Sequence, residues 1–248
     1  MLTIVVPMGG GGQRFVDHGY TFPKPLVEID GRPMIELVVE NLRPQEEHRF
    51  VFVCRKDHLA KYALADVLRV LSPGSVVVRM DGPTAGALCS VLLGLQSVDP
   101  DGELLVANAD QVVSASVDGF LGEARSQEVD GAIIVFPSTH PKWSYVRVED
   151  GLVVAAAEKR PISSLATAGL YYFARVGTFW SAAEGMLLKN ASVRSEFYVC
   201  PVYNEMILAG KRVTTYAIGR EQMHSLGTPE DVERYAGRLS RQHGESGV

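Results

Sequence analysis

The chain has 248 residues, 46% hydrophobic and 21% charged, with a formal net charge of −5. That length suffices for one large α/β domain with a full core, and the acid excess argues against non-specific nucleic-acid binding, which needs a basic surplus to neutralise phosphates. Cys54, Cys89 and Cys200 lie far apart in no metal-ligand spacing, which argues against a disulfide framework or structural zinc and fits a reducing cytoplasm. The opening MLTIVVPMGG lacks the basic segment and long apolar run of a signal peptide, and no stretch reaches membrane-spanning length.

Short apolar runs alternate with amphipathic segments in the first 137 residues. LTIVVP, RFVFVCR, SVVVRM, ELLVAN and GAIIVFP read as strands; PMIELVVENLR, HLAKYALADVLRVL, AGALCSVLLGLQSV and VDGFLGEARSQ read as helices. That alternation predicts βαβ units and a mostly parallel sheet. Near residue 138 the pattern changes. WSYVRVEDGLVVAAAEKR predicts a hairpin turning at Glu149-Asp150-Gly151, followed by the strand AGLYYFAR and a helix over 178–189. An apolar helix from Pro201, the strand RVTTYAI and a closing helix from Thr228 complete the chain, and the residues from 241 onward read as a frayed tail. One domain over 1–240 is expected, with halves at about 1–137 and 138–240.

Directly after the first strand comes MGGGGQRFVDHGYTFPKPLVEIDGRPMIE. Glycines let a backbone bend sharply and bring its N–H groups against an anion. The dinucleotide fingerprint is half present in Gly9 and Gly11, and Asp30 stands about where a ribose-binding acid belongs. However, Arg14 takes the third glycine's place, and Phe22-Pro23-Lys24-Pro25 breaks the helix that must intervene. The Walker loop fails because no Gly-Lys-Ser/Thr follows. A surface loop of solvated charges is the remaining plain reading, and four glycines are entropically costly there. Prolines on both sides of Lys24 pin its backbone and so place its ammonium.

Gly-Gly-x-Gly-x-Arg, a spacer, Pro-Lys-Pro-Leu, a strand and Gly-x-Pro-Met-Ile resembles the signature of the sugar-phosphate nucleotidyltransferases, also called nucleotide-sugar pyrophosphorylases. The resemblance implies a Rossmann-like, GT-A-like three-layer α/β sandwich around a mixed, mostly parallel sheet. It also implies that Met8, Gly9, Gly10 and Gly12 wrap a nucleoside triphosphate while Arg14 and Lys24 hold its phosphates. Gln13 stands where the family usually has Thr or Ser. Met80-Asp81-Gly82-Pro83-Thr84-Ala85-Gly86 resembles the family's base-reading segment, assigning Asp81, Thr84, Ala85 and Gly86 to the nucleotide. ELLVANAD puts Asp110 just past a strand, where an acid faces the crevice of an α/β sheet, with Asn108 beside it. By resemblance Asp110 holds Mg²⁺, and the Asn-Ala-Asp-Gln variant is associated with a capsule and cell-surface branch.

Three further stretches resemble the acceptor side. Ala-Glu-Lys-Arg-Pro and Ala-Gly-Leu-Tyr assign Glu158, Lys159 and Gly169, and the Ser195–Glu205 stretch adds Tyr198 and Asn204. In the insertion His140-Pro141-Lys142-Trp143, Lys142 is a candidate for a second anionic group of the acceptor, as is Arg147 beyond it. Gly-Thr-Pro-Glu-Asp (227–231) matches a capped helix start. Two residues before Gly227 the family usually has an aspartate, a second metal ligand; this chain has Ser225. Glu205 and His224 are candidates for that second position, with water as the alternative.

Five ordered motifs over residues 1–235 imply one activity: transfer of a nucleoside monophosphate from an NTP to a sugar 1-phosphate or similar phosphorylated acceptor, releasing pyrophosphate. A CTP-dependent cytidylyltransferase acting on a phosphorylated amino alcohol or amide is the alternative, and a noncatalytic nucleotide-binding subunit a second. A metal-dependent glycosyltransferase is disfavoured, because no Asp-x-Asp follows the central strand. Because relatives self-associate, a homodimer is expected.

Overall fold

Alternation along the first strand sets the layers. In the computed structural model, which describes residues 1–245, β1 (Leu2–Met8) sends Ile4, Val6 and Met8 into one hydrophobic core and Val5 into the other. Each fully buried side chain of this size stabilises by about 1.5–3 kcal/mol. A short helix, α1 (Gln13–Asp17), and the hairpin β2 (Glu28–Ile29)/β3 (Arg32–Pro33) follow. Asp30 and Gly31 both have left-handed φ at its turn, so the acid weighed as a ribose ligand is a turn residue.

Next come α2 (Met34–Leu42), β4 (His48–Arg55), α3 (Lys56–Tyr62), α4 (Leu64–Leu71), β5 (Val76–Met80), α5 (Ala87–Gly94) and β6 (Glu103–Ala107). One helix was expected across HLAKYALADVLRVL. Ala63, at φ 50°, divides it into α3 and α4 without any glycine or proline to announce the break. β7 (Gln111–Val113), α6 (Val117–Ser126), β8 (Gly131–Pro137) and the hairpin β9 (Tyr145–Glu149)/β10 (Leu152–Ala157) come next. The hairpin turns at Asp150-Gly151, both left-handed, as the sequence predicts. Then follow β11 (Leu165–Phe173), α7 (Val176–Leu188), α8 (Val202–Leu208), β12 (Val213–Ala217), β13 (Met223–Ser225) and α9 (Pro229–Glu245). The expected frayed tail is helical through Glu245, and the remainder of that expectation, 246–248, lies outside the described residues.

Among the described residues, nine strands form one mixed sheet. Along its main path the order is β10-β9-β11-β6-β1-β4-β5, with β8 pairing β11 and β12 pairing β8. The stretch β6-β1-β4-β5 is parallel throughout, whereas β11 runs antiparallel to β6, β8 and β9. Helices cover both faces: α2 and α6 lie over one core, and α5, α7 and α8 over the other. The chain moves from β1 outward to β4 and β5, then returns to β1's other side as β6. That reversal opens a crevice at the carboxyl ends of β1 and β6, where open α/β sheets bind ligands.

Candidate active site

The crevice is bounded by the two segments that leave those strand ends: the glycine loop after Met8 and the Asn108–Asp110 turn after Ala107. Gly12, at φ 63°, starts α1, and a Cβ there would stand 3.3 Å from Cβ of Lys24. The loop therefore folds against the Pro-Lys-Pro segment, where a 3₁₀ turn over Lys24–Leu26 is closed by Leu26 N–H donating to Pro23 O at 2.8 Å. Pinned in this way, the Lys24 ammonium lies 5.6 Å from the Phe15 ring centroid and donates to Oδ2 of Asp110 at 2.5 Å. Both side chains are about a quarter exposed, 21% and 30%. Their meeting joins residues 86 positions apart.

The carboxy-terminal segment closes on the same point. β13 pairs antiparallel with β7, Ser225 opposite Gln111, and Leu226 N–H donates to the Asp110 carbonyl at 2.8 Å. A Cβ on Gly227 would lie 3.5 Å from Oδ2 of Asp110 and 3.9 Å from Oδ2 of Asp231. Asp231, only 7% exposed, accepts from Ser225 Oγ at 2.8 Å, with Arg234 at 3.3 Å and Lys142 Nζ at 3.9 Å. Asp231 is the acid that sequence reading missed. It was visible as the last residue of Gly-Thr-Pro-Glu-Asp, where first-turn acids usually serve only the helix start. Its amide does accept that role, donating to Thr228 Oγ1 at 3.2 Å.

Arg14 is exposed on α1. The end of α1 meets the start of α9, where His18 Nε2 lies 3.7 Å from Glu230, whose carboxyl is held below its usual range by backbone N–H donation and by the Thr228 hydroxyl, then by the charges of His18 and Arg14. On the other side, Gly9 packs beneath Met80 and Ser90, where a Cβ would come 2.5 Å from Met80 Cε, and Gly10 is open. Thr84 Oγ1 donates to Gly86 O at 2.9 Å and lies 2.8 Å from Ser90 Oγ, which braces the segment expected to read the base. Asp81 is exposed and pairs with Arg79 at 3.4 Å and Lys56 at 3.6 Å. Phe197 N–H donates to Ala85 O at 2.7 Å, and Phe197 O accepts from Leu88 N–H at 3.0 Å. The base segment is thereby clamped to the irregular stretch that carries Tyr198. Gly86 permits this, since a Cβ would meet Phe197 N and O at 2.6 and 2.5 Å.

The acceptor-side residues gather around β11. Its register shifts between Thr167 and Tyr171, and Gly169, at φ 75°, occupies the irregularity. There its carbonyl accepts from Asn108 N–H at 3.0 Å, and Asn108 Nδ2 donates to Gln111 Oε1 at 3.1 Å. Glu158, 7% exposed, accepts a short hydrogen bond from Ser144 Oγ and lies 3.9 Å from Lys159 Nζ. Burial raises its pKa, and the Ser144 hydroxyl and the Lys159 charge oppose that rise. Lys159, at φ 51°, donates to Tyr198 OH at 2.6 Å, and Tyr198 OH donates in turn to Glu196. Lys142 joins the Asp231 group instead and lies 4.5 Å from the Trp143 ring centroid. Arg147 lies 3.2 Å from Glu149 on the β9 hairpin, and both are well exposed.

Three assigned residues are not brought to these groups. Glu205, a candidate second metal ligand, sits on α8, accepts from Lys189 Nζ at 2.6 Å and lines a separate cavity with Pro100 and Arg175 below the sheet. His224, the other candidate, lies 2.8 Å from Ser114 Oγ and packs 5.2 Å from the Tyr235 ring. Burial first, then nearby Arg238 and Arg220, lower its pKa to about 4, so it is a neutral structural histidine. Asn204 spends its amide on Ala156, accepting at 2.8 Å and donating at 2.9 Å, a pin on β10.

A glycine loop at the switch point of a mixed sheet, a pinned lysine and an aspartate beside it define a nucleotidyltransferase. Residues 4–183 match the MobA-like NTP transferase domain, and the chain belongs to that family. Among solved structures it resembles the nucleoside-diphosphate-sugar pyrophosphorylase from Vibrio cholerae, at 28% identity and TM-score 0.81, covering 94% of this chain and 99% of that one. It also shares its fold with the inositol-1-phosphate CTP transferase from T. maritima (17%, TM-score 0.76, 96% and 93% covered). The UTP-bound UGPase from Acinetobacter baumannii is a third (18%, 0.72, 96% and 93%). No curated protein matches the chain. Among the described residues, no helix is long and apolar enough to cross a membrane.

Proposed function

We propose that the protein transfers a nucleoside monophosphate from an NTP to a sugar 1-phosphate or similar small phosphorylated acceptor, releasing pyrophosphate. The observation that carries this reading is the 2.5 Å approach of Lys24 to Asp110 at the mouth of the glycine loop. The half over 1–137 takes the NTP: the loop's N–H groups and Arg14 and Lys24 hold phosphates, and residues 81–86 meet the base. The half over 138–240 takes the acceptor, with Glu158, Lys159, Gly169 and Tyr198 around its body and Lys142 near its charge. The acceptor's phosphate oxygen attacks the α-phosphorus in line, so fixed cations and positioning supply most of the rate. No covalent enzyme intermediate is required.

The donor set fits Mg²⁺. Among the described residues no three His, Cys, Asp or Glu side chains form a ready-made cage. Magnesium instead takes one or two carboxylates with phosphate oxygens and water. Asp110 and Asp231, both within 4 Å of one point above Gly227, are that pair, with Ser225 between. Such an ion would offset charge on the nonbridging oxygens. The 28% identity to a nucleoside-diphosphate-sugar pyrophosphorylase favours a sugar phosphate as acceptor. Pyrophosphate release with CTP, UTP, dTTP and GTP, each against sugar 1-phosphates and phosphorylated amino alcohols, tests the reading, with Asp110→Ala as control. Acceptor-dependent release lost in Asp110→Ala is expected. Release that needs no acceptor, or that survives the substitution, overturns it.

A further inference from the structure

One cation beside the glycine loop has no place in the site as read so far. β4 runs parallel to β1 with Cys54 opposite Met8, so Arg55 leaves its strand next to the start of the loop. A Cβ on Gly11 would lie 3.7 Å from NH1 of Arg55, while Gly10 next to it has nothing within 4 Å. The guanidinium is held from the far side. Nε and NH2 donate to Oδ1 and Oδ2 of Asp57 at 2.9 and 2.7 Å, a two-point fork that fixes the plane. That leaves NH1 turned toward Gly11. Arg55 is also one wall of a cavity of about 450 Å³ whose other walls include Met80, Gly82 and Pro83, the approach to the base-reading segment.

We propose that Arg55 is a third cation for the triphosphate, gripping it on the β4 flank of the glycine loop, with Asp57 as its positioning residue. This rests on the nucleotidyltransferase reading above. Lys24 and Arg14 reach the loop's region from α1 and the Pro-Lys-Pro turn; Arg55 reaches it from β4, so the loop is flanked by positive charge on two sides. A guanidinium already oriented by a carboxylate needs no reordering when an anion arrives, which makes it a stronger ligand than a free arginine. A fork formed on a residue two positions away also leaves three N–H groups for phosphate oxygens.

The test is calorimetric titration of the full chain, with Mg²⁺ present, using inorganic tripolyphosphate, CTP and UTP. Arg55→Ala is expected to weaken tripolyphosphate and the better-bound nucleotide alike, by about tenfold or more, because phosphates and not the base lose a partner. Arg55→Lys should recover part of the loss. Asp57→Asn should cost roughly two- to fivefold in these affinities at an unchanged melting temperature, which a merely structural role would not produce. Lys24→Ala reports on the underlying site. If Arg55→Ala binds within twofold of the parent while Lys24→Ala does not bind, Arg55 is no ligand and the site reading stands. If the parent binds none of the three, or if Lys24→Ala binds as the parent does, both readings fall.

Discussion

The ammonium of Lys24 stands 2.5 Å from Oδ2 of Asp110, although 86 residues separate them in the chain. The two groups that are to hold opposite charges of one substrate complex here neutralise each other. Lysine and a divalent cation therefore compete for the same carboxylate oxygen. Lys24→Met should tighten Mn²⁺ binding to the free protein several-fold and weaken nucleotide binding about tenfold or more, opposite signs from one substitution. Electron paramagnetic resonance titration for the metal and calorimetry for the nucleotide check this. Equal directions would mean that the pair is only a surface contact.

Asp231 gives the second metal expectation. Asp231→Asn keeps the size and the helix start but removes a charge within reach of the Asp110 region. Its Mn²⁺ dissociation constant is expected to rise about tenfold, with a melting temperature within a few degrees of the parent. Glu205→Gln, below the sheet, should leave metal affinity unchanged.

Glu158 sets function against stability. Its carboxyl is nearly buried and its pKa lies above the ordinary 4.5. The folded state thus favours the protonated form. That contribution is fully present below pH 4.5 and is lost as pH rises through the raised pKa. Glu158→Gln is therefore expected to stabilise the protein by about 0.5–1 kcal/mol at pH 7–8, with the gain vanishing near pH 4. The KM for the acceptor should rise about tenfold or more, while that for the NTP stays near the parent's. Urea unfolding across that pH range and steady-state kinetics provide the comparison.

His224 has the opposite sign. Burial lowers its pKa from 6.5 to about 4, so the neutral ring is preferred on folding. Stability from this group is present above pH 6.5 and is lost as pH falls toward 4, on the order of 1–2 kcal/mol after allowing for its partial exposure. Against His224→Gln, the parent should lose its advantage across that window in thermal unfolding. A constant difference would show that the ring does not titrate there.

Gly86 ties the two halves of the site together. At φ 115°, with Phe197 backbone atoms 2.5 and 2.6 Å from any Cβ, Gly86→Ala must shift either the base segment or the Tyr198 stretch. A cost of about 2–4 kcal/mol in unfolding free energy is expected. KM should rise for both substrates, where damage to one subsite alone would raise one.

The sequence made much of this legible because several signals are local. The continuous apolar runs of β1 and β4 and the Asp150-Gly151 pair made sheet and hairpin readable directly, and the prolines around Lys24 announced a placed cation. What stayed hidden depends on contacts between distant segments. The β7–β13 ribbon has only three residues in each strand, too few for a period, yet it carries Ser225 and Leu226 to Asp110. Arg55 reads as a strand-end charge until the parallel register sets it beside Gly11. Glu205 and His224 are placed apart from Asp110 and Asp231, Glu205 against Lys189 on α8 and His224 against Ser114 and Tyr235, because nearness in sequence to an expected motif does not fix where a side chain points.

The central claim is that Lys24 and Asp110 act together on one triphosphate, and a double-mutant cycle on transfer of labelled α-phosphate from NTP to acceptor tests it most directly. The account predicts that Lys24→Ala and Asp110→Ala each lower kcat/KM by about 10² or more, and that the double variant is little worse than the poorer single. Single variants that keep nearly full transfer, or losses that simply multiply in the double, would contradict it.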